Sequence, residues 1–188
     1  MKFPGPALGL FELESLARGI VVADALVKRA DVRIAIAEAV TPGKYLLVFS
    51  GPVAEVDESF REGVEVAGKV LIDKLFLPQV SPSLVLALEG TVATAKADDA
   101  VGIVETHTVA SALLAADTAI KRAQVTLTYL QLAKGIGGKG WFMLAGAQHD
   151  VEAALDGAAA AVSASLLVTT ELIHRPHRDL RGSVLKGG

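Results

Sequence analysis

Gly135, Gly137 and Gly140 keep the spacing G-x-G-x-x-G inside KGIGGKGW, residues 134–141, a pattern that elsewhere cradles the phosphates of a nucleotide. That chemistry needs a strand before the glycines and a helix directly after them. The helix N-terminus supplies the free N–H groups and the positive dipole end that hold pyrophosphate. Here the following residues are Trp141-Phe142-Met143-Leu144-Ala145-Gly146, a short apolar run bounded by glycines, which predicts a strand. The Walker form fails too, because Gly138-Lys139 precedes Gly140 instead of Ser or Thr, and residue 133 is alanine. Strand, glycines, strand predicts a hairpin. His174 and His177 are the other pair with ligand chemistry; no third ligand cluster accompanies them, so a structural or edge role is expected and no metal.

The elements that must carry these residues are written twice. Residues 7–32, ALGLFELESLARGIVVADALVKRADV, match residues 100–125, AVGIVETHTVASALLAADTAIKRAQV. Identities fall at Ala7/Ala100, Gly9/Gly102, Glu12/Glu105, Asp24/Asp117, Lys28/Lys121 and Arg29/Arg122, among others, and most remaining pairs swap one apolar residue for another. Further along, TPGKYLLVFSG (41–51) matches IGGKGWFMLAG (136–146), and the second copy carries two extra residues in or near its glycine loop. Each copy predicts a strand (7–13; 100–106), an amphipathic helix (15–30; 108–123), and two strands (31–40 with 44–50; 125–133 with 140–145). A second helix follows from about Val53 or Gln148, then a last strand (about 69–77; 165–173). The order β-α-β-β-α-β is a split ferredoxin-like α+β plan. Domains are expected at 1–80 and 100–182, with 81–99 as the connection and 183–188 as a tail. Glu12 and Glu105 recur without a nucleophile or histidine beside them, which predicts a repeated structural role and no catalytic residues. His107 and His149 have no counterpart and are expected on the surface.

Composition narrows the classes. Of 188 residues, 52% are hydrophobic but only 5% aromatic, and mean hydropathy is +0.47, which suits close packing with apolar surface left for subunit contacts. The net charge of -3 and the lack of a basic face argue against nucleic acid. With no cysteine, disulfides, thiolate metal sites and a catalytic thiol are excluded. The N-terminal apolar run is too short for a signal peptide, and the uncharged run from Gly157 to Thr170 falls short of the ~18 residues of a spanning helix. No membrane partner is expected, and a soluble cytosolic protein is.

These residues resemble the shell-protein domain of bacterial microcompartments. The likeness lies in A-L-G-x-x-E, in A-D-A-x-x-K-x-A from Ala23 to Ala30, in the short glycine loop, and in G-x-V-A-x-V after it. The helix end recurs at Ala116 to Ala123 with Thr118 for the middle alanine, and His174-Arg175-Pro176-His177 looks like the Arg-Pro-His that closes such domains. The match covers nearly the whole chain, twice, and resembles the unpermuted tandem class. That resemblance implies a homotrimer forming a pseudohexagonal tile, whose partners are other shell proteins in hexameric and pentameric tiles, with small metabolites crossing a central pore. It further implies that Thr41, Pro42 and Gly43 with Ile136, Gly137 and Gly138 line the pore, and that Lys28, Lys121 and Arg175 sit at the tile edge. The edge lysines also read as helix C-terminal cations stabilised by the dipole. Lys44, Lys134 and Lys139 either favour anionic metabolites or are ordinary solvated charge. In the first copy Leu77-Pro78-Gln79 stands where the arginine motif is expected. Some relatives hold an iron–sulfur cluster on a cysteine in the pore loop, which a chain without cysteine does not do; no cofactor is expected. The alternative is a trimeric regulatory protein of ferredoxin-like fold that binds a small molecule at its subunit clefts, which would need no lateral assembly.

Overall fold

The computed structural model describes residues 3–93 and 99–183. It divides into two compact units, one of residues 1–80 with 133–138, the other of residues 81–132 with 139–188.

Unit 1 runs β1 (Ala7–Leu13), α1 (Leu16–Arg29), β2 (Arg33–Val40), β3 (Lys44–Gly51), α2 (Val53–Ala67), a single 3-10 turn and β4 (Leu71–Leu77). The strands pair antiparallel in the order β2-β3-β1-β4. Helix α1 begins where the Ser15 side chain accepts from the Arg18 N–H at 3.2 Å and buries Gly19, Val22, Ala23 and Leu26. Of the helically spaced residues Leu16, Ile20, Ala23 and Val27 that the sequence offers as the apolar face, only Ala23 is buried, because the stripe that meets the sheet is turned towards Gly19, Val22 and Leu26. Against that face lie Phe11, Leu13, Leu47 and Phe49, and Phe60 of α2 stacks on Phe11 with centroids 4.9 Å apart. The Ser59 hydroxyl of α2 donates to the Leu26 carbonyl of α1 at 3.0 Å, tying the helices together without leaving a buried donor unmet.

Unit 2 opens with α3 (Pro82–Leu88), a helix inside the stretch expected to be a plain connection. Pro82 at the first helical position and the apolar run after it are helix signals. Then come β5 (Ala100–Thr106), α4 (Val109–Arg122), β6 (Thr126–Leu132), β7 (Gly140–Gly146), α5 (Gln148–Ala161), β8 (Leu167–His174) and α6 (Arg178–Ser183), with sheet order β6-β7-β5-β8. The Thr108 hydroxyl caps α4 as Ser15 caps α1.

The two sheets share even their irregularities. Register shifts occur between Ile34 and Ile36 and between Leu127 and Tyr129, and again at Glu12/Leu13 and Glu105/Thr106. Bulges are specific local devices, so their recurrence at matching places marks both units as copies of one ferredoxin-like α+β domain. Ala39 pairs with Tyr45 and Leu132 with Gly140, so the two extra residues of the second copy fall wholly in its turn.

Candidate functional site

The β2–β3 turn holds Thr41, Pro42 and Gly43; the β6–β7 turn holds Ile136, Gly137 and Gly138. Although the second turn is encoded in the second copy, residues 133–138 cluster with unit 1. Thr41 Oγ1 donates to the Ala133 carbonyl at 3.2 Å, and Lys134 Nζ meets Glu38 Oε2 at 2.7 Å. Within the turn the N–H groups of Ile136 and Gly138 both donate to the same Ala133 carbonyl.

Two glycines here answer to different physics. Gly138 has φ +78°, and a Cβ on it would stand 2.9 Å from Pro42 Cδ and 3.0 Å from the Thr41 oxygen, so it combines left-handed backbone with a close approach. Gly137 has φ +66° with nothing within 4 Å of a Cβ; conformation alone selects glycine there. Close approach within the chain thus falls on Gly138 alone of the two. Gly140 opens β7, so a strand and not a helix follows the glycines, and the nucleotide geometry is absent.

Around the turns, each lysine faces a carboxylate. Lys44 Nζ lies 3.0 Å from Glu12 Oε2 and Lys139 Nζ 2.8 Å from Glu105 Oε1. The repeated glutamates are therefore repeated ion-pair partners of repeated lysines. The sequence carried that signal, since Glu12/Glu105 and Lys44/Lys139 recur together, but strand pairing was needed to bring each pair into reach.

Lys28 and Lys121 occupy the last turns of α1 and α4, where the helix dipole favours cations. Lys28 pairs with Asp24 at 2.6 Å, both side chains exposed, whereas Lys121 meets a buried Asp117 at 2.5 Å. The other Asp117 oxygen accepts from the Ser81 N–H at 2.7 Å. Arg175 directly follows β8 at φ +45°, and its N–H donates to the Asp99 carbonyl at 2.7 Å. In unit 1 a bond to the matching carbonyl runs from Val80 to Pro6 at 2.8 Å, one residue out of step, while strand register, with Leu77 opposite Leu8 and Ile173 opposite Val101, leaves Gln79 in the place of Arg175. His177 Nδ1 accepts from the Asp179 N–H at 3.3 Å, holding the start of α6. Among the described residues no group of three or more His, Cys, Asp or Glu gathers as a metal set, and no helix is long and apolar enough to cross a membrane.

Two copies of this domain, joined in one chain and alike down to their bulges, define a class. The family model of the BMC domain matches residues 7–80 and again 100–176, and the chain belongs to that family. It is similar, at 38% identity over 96% of its length and 98% of the relative's, to the bacterial microcompartment shell protein PduT of Citrobacter freundii. A crystal structure of a microcompartments protein from Desulfitobacterium hafniense superposes with a TM-score of 0.82 at 37% identity, covering 94% of this chain and 98% of that one. A fused permuted hexameric shell protein from the RMM microcompartment shares the fold alone, with a TM-score of 0.62 at 20% identity over 82% of this chain and 79% of that one.

Proposed function

We propose that this chain is a structural component of a bacterial microcompartment shell. Three copies close into a pseudohexagonal tile, which joins hexameric and pentameric tiles of other shell proteins. The observation that carries the reading is the in-register duplication combined with a match to a shell protein along nearly the full length of both chains. Two similar domains per chain give a three-chain ring six near-equivalent wedges. The pore is formed where the two turns meet, with Thr41, Pro42 and Gly43 and with Ile136, Gly137 and Gly138 from each chain. Thr41 binding the Ala133 carbonyl, and Gly138 lying against Pro42, support that placement.

Because Lys44, Lys134 and Lys139 each face a carboxylate, the rim presents backbone and small side chains with its charges balanced. Small polar metabolites fit such an aperture better than a strongly charged substrate does. Lys28, Lys121 and Arg175 lie at the tile edge, where a long lysine stem lies along a neighbour while its ammonium donates to carbonyls. The chain carries passage and not chemistry: it is no enzyme and holds no cofactor.

Sedimentation and electron microscopy of the purified protein test this. The expected result is a species of three times the 19.5 kDa chain mass that forms flat hexagonal arrays. A stable monomer, or a discrete trimer that never assembles laterally, would refute the tile.

A further inference from the structure

Each copy ends its sheet and runs into a short helix, β4 into α3 and β8 into α6. The segments leave alike, through the Val80 and Arg175 N–H bonds to the carbonyls of Pro6 and Asp99. Ser81 directly precedes α3 and His177 directly precedes α6, which puts Leu84 and Leu180 at the same helical position. Their surroundings differ. Leu84 is 0% exposed and α3 packs on β6 and α4, whereas Leu180 is 38% exposed.

The receiving helices show the complementary imbalance. On α4, Val109 and Leu113 are 0% exposed and Asp117 is 3% exposed, with the Ser81 N–H bound to its carboxylate. Their counterparts on α1 are bare: Leu16 is 42% exposed and Ile20 60%, and Val27 continues the stripe at 46%. Asp24, the counterpart of Asp117, is exposed and bonded to Lys28 alone among the described residues. None of the three apolar residues is needed by the core, which α1 meets through Gly19, Val22, Ala23 and Leu26.

We propose that the α1 stripe of Leu16, Ile20 and Val27 is the docking seat for the α6 segment of a second copy of this chain, with Leu180 as its anchor. Unit 2 holds the template: α3, the segment that follows the first domain, lies on α4. The second domain's own segment, α6, has the same anchor residue and no such seat, while α1 offers the seat. A backbone N–H at the start of the incoming helix, at His177, reaches Asp24 as Ser81 reaches Asp117. Seat and anchor are different residues of the chain, so the contact is heterologous and repeats head to tail until the ring closes. The inference rests on the three-chain reading above and names the residues that close it.

The absence of cysteine makes the test clean. Ile20→Cys and Leu180→Cys are made as single variants, co-expressed, and treated with a short bismaleimide. Both side chains are exposed, so each variant folds as the parent does. Covalent heterodimers from the mixture, and none from either variant alone, support the seat. If the mixture sediments at three chain masses yet yields no heterodimer, the α6 assignment is wrong and the three-chain reading stands. A monomer in sedimentation overturns both. Leu180→Asp gives an independent measure: loss of the three-chain species with an unchanged circular dichroism spectrum is expected. Sedimentation identical to the parent would overturn the anchor.

Discussion

Replacing Lys44 by methionine should destabilise the protein far more than the same change at Lys139, although the two lysines occupy one place in two copies. Glu12 is 1% exposed and the Lys44 side chain 16%, while Glu105 and Lys139 are 34% and 40% exposed. Methionine keeps the apolar stem and removes the ammonium, leaving a buried carboxylate without its cation. Breaking a buried pair in this way costs ~3–5 kcal/mol. Glu12 makes further contacts, so the lower figure applies. The water-exposed pair is worth ~0.2–1 kcal/mol because solvent screens it. With about 2–4 °C of Tm per kcal/mol for a chain of this size, Lys44→Met should lower Tm by about 6–12 °C and Lys139→Met by no more than ~4 °C. Circular dichroism melts measure both. The single tryptophan, Trp141, lies on β7, so its fluorescence follows unit 2 while the dichroism follows the whole chain. Glu12→Gln with Lys44→Met should recover stability relative to Lys44→Met alone, since no unpaired charge remains. Equal shifts at Lys44 and Lys139, or a double variant no better than the single, would refute the burial reasoning.

At the tile edge, Lys28→Ala with Lys121→Ala should leave the trimer intact but weaken arrays, by ~1–2 kcal/mol per lost charged hydrogen bond summed over many edges; array formation at matched salt under the electron microscope measures it. Gly138→Ala should cost more than Gly137→Ala in urea melts, because only Gly138 adds contacts of 2.9 and 3.0 Å to its positive φ; the backbone strain alone is ~1–2 kcal/mol at either. Gly137→Trp should fold, since nothing lies within 4 Å of its Cβ, yet obstruct flux of small solutes across assembled tiles; unchanged flux would remove Gly137 from the aperture. Asp117→Ala should cost ~1–3 kcal/mol in chemical denaturation, the penalty of leaving the buried Ser81 N–H without its acceptor.

The duplication and the order of strands and helices followed from local information: apolar spacing, Ser15 and Thr108 at helix starts, and glycines between strand-like runs; the buried face of α1 did not, since Leu16, Ile20 and Val27 keep apolar spacing with Ala23 yet stay exposed. Such signals act over a few residues, and both copies repeated them. The type of the glycine loop was equally legible, since a strand and not a helix follows Gly140. Tertiary structure decided which of two equivalent residues is buried and what it touches. Asp117 and Asp24, and Lys44 and Lys139, occupy equivalent places in the repeat, and Leu84 and Leu180 the same helical position, yet one of each pair is enclosed and the other open. Burial depends on which distant segment lies over a residue, here α3 upon α4, and that segment read as a mere connection. Gly137 and Gly138 differ in the same way: adjacent in sequence with similar φ, they are separated only by where Pro42 and Thr41 come to rest. Sequence repeats fix equivalent conformations, but the segments that lie over them differ, α3 covering α4 while the matching stripe of α1 stays open, and such neighbours set the energies.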